Sequence, residues 1–139
     1  LKNRLTHPSH SIEKLYRVKV DGNVSDEQIE LLSSPLVIDG YKIKPVTVTK
    51  GEADESGTVL KMTLTEGRNR QIRKMCEQAG LTVKRLARIS IGKLKLNKLP
   101  VGKWRYLTDE EVVSYGFTFI ANFKYCGSNI CRCIGDIIL

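Results

Sequence analysis

Alternation of apolar and polar residues predicts the first strands of the chain. The segment SIEKLYRVKVDG alternates with a period of two and ends at an Asp-Gly turn, and TVLKMTLT repeats the pattern further along. Each segment is therefore predicted to be a strand with one buried face. The predicted buried side chains are Tyr16, Val18 and Val20 in the first strand, and Leu60, Met62 and Leu64 in the second.

Two further segments are predicted to be strands on weaker patterns. In YKIKPVTVTK, Pro45 lacks a backbone donor, which indicates a sheet edge or a bulge, and the acidic stretch GEADESG that follows is predicted to be a turn. TVKRLARISIG is the last strand of the four. Its predicted shared face consists of Val83, Ala87, Ile89 and Ile91, with Arg85 among them.

Capping residues and helical spacing predict the helices. Ser25 and Gln28 have the spacing of a capping box at the start of SDEQIELLSS, and a second capping box opens TDEEVVSYG. Between them, a helix is predicted from about Asn69, and Gly80 is suited to end it. The apolar stripe of this helix, at positions i, i+3, i+4 and i+7, is Ile72, Met75, Cys76 and Ala79.

The order of these elements favours one α+β domain. Strand, helix, strand, strand, helix, strand does not alternate regularly, which predicts a mixed, largely antiparallel sheet with flanking helices. We assign residues 1–116 to this domain. Residues 117–139 are apolar and Cys-rich without a clear period, so they are either a docking segment or a terminus unrelated to the domain. Their role is left unassigned.

Charge is the compositional feature that bears on function. The 139 residues carry a net charge of +8, and the segment from Lys61 to Arg105 has thirteen Lys and Arg residues against two acids. Segregated positive charge of this size indicates a polyanion partner, and nucleic acid is the first candidate. A merely solvated charged face is the alternative.

The cysteines give no metal-binding pattern. Cys76 falls on the apolar helix stripe and is predicted to be a core residue, while Cys126, Cys131 and Cys133 have neither the number nor the spacing of a structural zinc site. No secretory signal or apolar run of about 20 residues is present. We therefore expect reduced thiols, no metal, no membrane partner and a cytoplasmic protein.

The segment LTEGRNRQIRKMCEQAG concentrates the candidate RNA-binding residues. Arg68 and Arg70 would lie at an electropositive helix start, where phosphate binds readily. Arg73 either points into a cleft or pairs with Glu77 one turn along the helix. Tyr16 is either a core aromatic or a surface on which an unstacked base can lie.

Several strings resemble one enzyme family. LTEGRNRQIRKMCE, KRLARISIGKLKL, LPVGKWRYLT and the upstream NRLTHPSHSIEKLYRVKVDG are similar to the C-terminal part of the catalytic domain of the bacterial ribosomal pseudouridine synthases. The similar group contains the small-subunit enzyme and the large-subunit enzymes B, E and F. RKMCE and VKRL resemble the F type. The resemblance runs from about Leu1 to Tyr115.

This resemblance implies an enzyme of ribosomal RNA, most simply of a large-subunit (23S) stem-loop. The family isomerises uridine to pseudouridine without a metal or an organic cofactor. Tyr16 matches the tyrosine that packs on the target base, and Arg73 matches the basic residue that pairs with the catalytic Asp. The substrate-binding residues that the resemblance implies are Arg68, Asn69, Arg70 and Ile72. Lys74, Arg85 and Arg88 complete the candidate substrate-binding set as charge that faces the RNA.

One expected residue is missing from the chain. The family carries its catalytic Asp in a GRLD motif, which is absent here and is expected upstream of Leu1. A chain without that Asp is expected to be inactive by itself. Separately, a monomer is the expected oligomeric state. A non-catalytic RNA-binding module associated with the ribosome is the alternative function.

Overall fold

The computed structural model describes residues 12–97, 99–100, 103 and 105–114. Within them, seven strands are present: β1 (Lys14–Val20), β2 (Val37–Ile38), β3 (Tyr41–Lys42), β4 (Thr47–Asp54), β5 (Gly57–Leu64), β6 (Val83–Ile91) and β7 (Leu94–Lys95). The three helices are α1 (Asp26–Ser33), α2 (Gln71–Gln78) and α3 (Asp109–Val113). None of these helices has the length and apolar character needed to cross a bilayer. The tail 117–139, with its three cysteines, lies outside the described residues.

The strands form a five-stranded sheet and a small separate hairpin. The sheet has the order β4-β5-β1-β6-β7, and β2 pairs with β3. Every strand pair in the described part of the chain is antiparallel. The predicted α+β class with a largely antiparallel sheet is confirmed.

One face of the sheet builds the core. The predicted buried faces of β1 and β5 are confirmed, because Val18, Leu60 and Met62 are fully buried and pack in one cluster with side chains of α1 and α2. Cys76 is fully buried in that cluster, as predicted, and burial raises the pKa of its thiol to about 11. Arg17, on the opposite face, is exposed. Burial of this apolar area is the main stabilising term of the domain.

The segment predicted as one strand from Tyr41 to Lys50 is divided in the structure. Tyr41–Lys42 belongs to the small hairpin, residues 43–46 are irregular, and β4 begins only at Thr47. Pro45 lies in the irregular segment, where its missing donor breaks no strand ladder. The acidic stretch is mostly strand, and the turn is only residues 55–56. β4 lies at the edge of the sheet.

Two irregularities in β6 overturn its predicted face. The pairing of β1 with β6 shifts register between Leu15 and Tyr16 and again between Lys19 and Val20. Each shift is the signature of a bulge, which breaks the period-two alternation. Val83 and Ala87 therefore lie on opposite faces: Val83 pairs with Val20 on the core side, whereas Ala87 pairs with Arg17 on the other.

The helix signals in the sequence are confirmed apart from one boundary. The Ser25–Gln28 capping box opens α1, and a second one, from Thr108 and Glu111, opens α3. The helix predicted from about Asn69 begins at Gln71 instead, because Arg70 adopts a left-handed conformation with φ 52°. The predicted apolar stripe of α2 is buried: Ile72, Met75, Cys76 and Ala79.

Gly57, at the start of β5, provides a test of the sheet geometry. Its φ is +130°, and a Cβ added there would lie 2.0 Å from the carbonyl oxygen of Val20. We expect Gly57→Ala to lower the free energy of unfolding by about 3 kcal/mol or more, through backbone strain and displacement of β1. Urea unfolding would measure the loss.

Gly22→Ala is the matched control. Gly22 also has a positive φ, +67°, but no atom lies within 4 Å of an added Cβ. Gly22→Ala should lower the free energy of unfolding by about 1 kcal/mol, which is the cost of the left-handed conformation alone. Equal losses in the two variants would show that the Val20 contact does not constrain the sheet.

Candidate functional site

Tyr16 lies at the margin of the core on the central strand. It shares the helix-covered face of the sheet with Val18, is half-buried, and packs against the core cluster. Its cross-strand partners are Met62 on β5 and Arg88 on β6. Tyr16 is therefore compatible with both predictions, a core aromatic and a base-stacking surface, because its ring is neither fully buried nor fully exposed.

Arg88 is brought beside Tyr16 by the first bulge in β6. Its Cζ atom lies 5.9 Å from the centroid of the Tyr16 ring, within range of a cation–π interaction. The Nε atom of Arg88 is buried and has no hydrogen-bond partner among the described residues. A buried donor without a partner costs free energy and is a place where a ligand atom can bind.

Lys14 adds a second cation near this position. Its Nζ donates to the carbonyl oxygens of Ile12 at 3.2 Å and Thr65 at 3.4 Å. Burial and then the positive charge of Arg88 hold the pKa of Lys14 below its usual value. Among the described residues, neither cation forms an ion pair with an acid. The Lys14 end of β1 therefore carries positive charge that a bound anion would neutralise.

Arg85 does not join this group. The bulges place it opposite Lys19, on the face of the sheet that the helices do not cover, and it is exposed there. The two arginines predicted together from KRLAR thus lie on opposite faces. An RNA contact by Arg85 would have to be made from that other side.

The loop before α2 is held by a buried glutamine that the sequence analysis did not identify. Gln71 is only 3% exposed; its Oε1 accepts from the Arg68 backbone N–H at 3.1 Å and its Nε2 donates to Glu66 at 2.9 Å. The same Glu66 oxygen accepts from the Lys44 backbone N–H at 3.0 Å. These bonds use the interior polar groups of the loop. The side chains of Arg68, Asn69 and Arg70 are left exposed.

The predicted residues on α2 have three different surroundings. Ile72 is 4% exposed and packs in the core. Lys74 forms an ion pair with Asp39. Arg73 is exposed, and in the described part of the chain it forms no ion pair with Glu77, so the surface-pair alternative is not what the structure has.

Tyr16 and Arg73 belong to the same side of the sheet. Helix α2 packs on the face that carries Tyr16, through Ile72 and Met75. No hydrogen bond or ion pair of the described residues joins Tyr16 to Arg73. A small cavity at the β6–β7 end includes neither of them; its lining is Arg88, Ile89, Ser90, Ile91, Leu94 and Leu96.

Tyr41 is a further exposed aromatic that sequence reasoning missed. The Arg68 guanidinium lies directly over its ring, with Cζ 3.2 Å from the centroid. Asp39 and Gly40, between β2 and β3, both have positive φ, as in a tight hairpin turn. The Asp-Gly pair flanked by apolar residues is a hairpin signal that could have located Tyr41 at the end of the turn.

The chain is similar to known RNA-modifying proteins. The model of the family described as RNA pseudouridylate synthase matches residues 1–78. The dual-specificity RNA pseudouridine synthase RluF of Escherichia coli (strain K12) is 38% identical over 122 residues, which is 88% of this chain and 40% of that protein. The ribosomal large subunit pseudouridine synthase B of Yersinia pestis is 37% identical over 108 residues, 77% of this chain and 34% of that protein.

The structural comparison agrees with the sequence comparison. A crystal structure of a pseudouridylate synthase matches with a TM-score of 0.69 and 25% identity, over 81% of this chain and 49% of that one. The chain spans less than half the length of each of these relatives.

Removing the Gln71 side chain tests whether it holds the loop. We expect Gln71→Ala to lower the free energy of unfolding by about 2 kcal/mol, because two polar groups lose a partner inside the fold. The exchange protection of the Arg68 amide should fall as well. Hydrogen exchange combined with urea unfolding measures both.

Gln78→Ala is the control on the same helix. Gln78 is exposed and donates one hydrogen bond to the Val37 carbonyl at 2.9 Å. Gln78→Ala should lower the free energy of unfolding by less than about 1 kcal/mol, and it should leave the Arg68 amide protected from hydrogen exchange. An Arg68 amide that exchanges equally slowly in both variants would contradict the anchoring role of Gln71.

Proposed function

Because this chain belongs to the RNA pseudouridylate synthase family, we propose that residues 1–116 are part of the catalytic domain of an enzyme that converts uridine to pseudouridine in ribosomal RNA. The reaction breaks the glycosidic bond, turns the base and rejoins it to the ribose through carbon. The proposed substrate is a stem-loop of the large-subunit RNA. The proposed enzyme is a cytoplasmic monomer that uses no metal and no organic cofactor.

The observation that carries this proposal is the position of Tyr16 relative to α2. A uridine must leave its stack to react, at a cost of a few kcal/mol. The half-buried ring of Tyr16, on the same side of the sheet as α2, offers a surface on which that base can pack. A neighbouring guanidinium, that of Arg88, makes the position electropositive.

Arg73 is proposed to orient the catalytic carboxylate. The Asp is expected on a strand upstream of Leu1. Arg73 is exposed on α2 and is not engaged by Glu77 among the described residues, so its guanidinium is available for an ion pair. Such a pair keeps the carboxylate ionised and fixes its direction. Ile72, which packs in the core beside it, would hold the helix in position.

The RNA backbone is proposed to follow the loop before α2. Arg68, Asn69 and Arg70 are exposed there, and the helix that begins at Gln71 has no side-chain cap on its first N–H groups. The Gln71 N–H donates to the Arg68 carbonyl at 3.2 Å, so the phosphate contact is proposed to come mainly from the arginines, with the positive end of the helix adding to it. Lys74 contributes less free charge, because it is already paired with Asp39. Arg85 would contact RNA only if the RNA reached the other face of the sheet.

Arg73→Ala tests the catalytic role. In the full-length gene product we expect turnover to fall at least about a hundredfold, because the carboxylate loses its orienting charge, while RNA affinity changes little. Pseudouridine formation in ribosomal RNA, measured by chromatography of the digested nucleosides, would report turnover.

Glu77→Ala is the matched control for this experiment. Glu77 is an exposed charged residue one turn along the same helix, so its replacement perturbs α2 to a similar extent. Turnover should stay within about twofold of the unmodified protein. Near-normal turnover in Arg73→Ala would refute the ion-pair role.

Arg70→Gln tests the phosphate contact. A side chain that neutralises one phosphate contributes about 0.7 to the slope of log affinity against log salt for a single strand. We expect Arg70→Gln to reduce the slope by about that amount in titrations of a ribosomal RNA stem-loop.

Lys84→Gln is the charge-matched control. The Lys84 ammonium already pairs with Asp21 at 2.7 Å, so its removal should leave the slope nearly unchanged. Equal slopes for Arg70→Gln and the unmodified protein would place Arg70 away from the RNA. If the unmodified protein shows no salt-dependent RNA binding, the proposed function itself is wrong.

A further inference from the structure

Arg68 and Tyr41 form a close cation–π contact on the surface of the domain. The guanidinium carbon lies 3.2 Å from the ring centroid, so the two planar groups are in stacking contact. Tyr41 is 40% exposed and Arg68 is exposed as well. The stack is therefore at the surface, and it does not serve to fill the core.

The tyrosine half of this stack is held by the hairpin of β2 and β3. Ile38 anchors the hairpin in the core, with 5% of its surface exposed. Asp39 forms an ion pair with Lys74 of α2, and the Val37 carbonyl accepts a hydrogen bond from Gln78 of α2 at 2.9 Å. Three attachments on a hairpin of this size leave Tyr41 little freedom to move away.

The arginine half is held by the loop before α2. The Arg68 backbone N–H donates to the buried Gln71 side chain, which is itself bonded to Glu66. In the described part of the chain, the Arg68 guanidinium forms no ion pair with a carboxylate. Its position over Tyr41 thus comes from two anchored backbones, the loop and the hairpin, which are both attached to α2 and are linked through the Lys44 N–H bond to Glu66. Preorganisation of this kind reduces the entropy that a ligand must otherwise supply.

We propose that the Tyr41–Arg68 stack is a platform for one unpaired nucleobase of the RNA, bound next to the phosphate contacts of the same loop. This rests on the proposed function. Unpaired RNA bases stack on aromatic rings and on guanidinium planes, and a guanidinium supported by a ring offers its charge and its flat face together. Arg70, exposed two residues further on, matches the charge of the adjoining RNA backbone.

The position of the platform distinguishes it from the uridine site. Tyr16 lies on the central strand β1 of the five-stranded sheet, whereas Tyr41 lies on the separate two-stranded hairpin. A base held at Tyr41 would therefore be a different nucleotide from the one that reacts. The platform would contribute to the choice of RNA and would leave the chemical step to the other residues.

The test is a comparison of intact and abasic RNA. The probe is a hairpin RNA with a uridine-containing single-stranded loop, together with versions in which each loop nucleotide in turn is abasic. For the full chain we expect one abasic position to weaken binding about 5- to 100-fold, the effect of one lost stacking contact. In Tyr41→Ala the same abasic position should cost less than about twofold, because the ring that holds the Arg68 guanidinium in place is gone.

Three variants separate stacking from damage to the fold. Tyr41→Phe retains the ring and should bind as the unmodified chain does. Val37→Ala changes another exposed hairpin residue, 55% exposed, and should also leave binding unchanged. Arg68→Lys keeps the charge but loses the flat group, so it should remove the abasic penalty and preserve the salt slope.

Two results would overturn the platform alone, and a third would overturn the proposed function as well. The first is an abasic penalty of the same size in Tyr41→Ala and the unmodified chain. The second is an abasic penalty in Arg68→Lys equal to that of the unmodified chain. Either would show that no base stacks on the platform, while RNA binding itself stands. An unmodified chain that binds none of these RNAs at low salt would instead refute the proposed function, and the platform with it.

Discussion

The pairing of β1 on both of its sides is the constraint on which the domain depends. All seven residues of this strand pair with β5 and with β6, so its alternation decides which side chains of three strands share a face. One face is closed by α1 and α2 around fully buried residues such as Val18 and Leu60. Tyr16, on the same strand and face, is therefore held where the core ends. A shift of one residue in either register would turn it to the opposite side of the sheet.

Inside this frame, polar anchoring determines which side chains are offered to a ligand. The loop before α2 satisfies its interior through Gln71 and Glu66, and the small hairpin is attached to α2 through Lys74 and Gln78. Because those backbones are held from within, the exposed Arg68 needs little further ordering on binding. The scaffold thus presents the charged, planar guanidinium of Arg68 on a loop, and loops held by a scaffold commonly carry binding residues.

Positive charge accumulates at two places with different surroundings. Around Arg68 the cations are exposed and screened by solvent, which suits the tracking of a phosphate backbone. At the start of β1, Lys14 and Arg88 are partly buried and repel each other electrostatically, and both effects lower the pKa of Lys14. Because Lys14 and Arg88 are partly buried, leaving their charge without an anion costs more free energy than it does for the exposed arginines. The proposed function assigns RNA capture to the first surface and the surroundings of the reacting nucleotide to the second.

Local patterns were sufficient for the α+β class, for both capping boxes and for the core faces of β1, β5 and α2, because each depends on residues only a few positions apart. The left-handed Arg70 and the two bulges of β6 were not readable in this way. The second bulge lies opposite Lys19 and Val20, and only the partner strand defines it. Arg85 and Arg88 lie on opposite faces by ordinary alternation, since no bulge falls between them, but the first bulge decides which of the two meets Tyr16. The stacking of Arg68 on Tyr41 joins residues 27 positions apart in the sequence. The sequence by itself determined the kinds of side chain available and the family to which they belong. Tertiary structure decided which of them meet, because register and docking depend on contacts between distant segments that no local periodicity encodes.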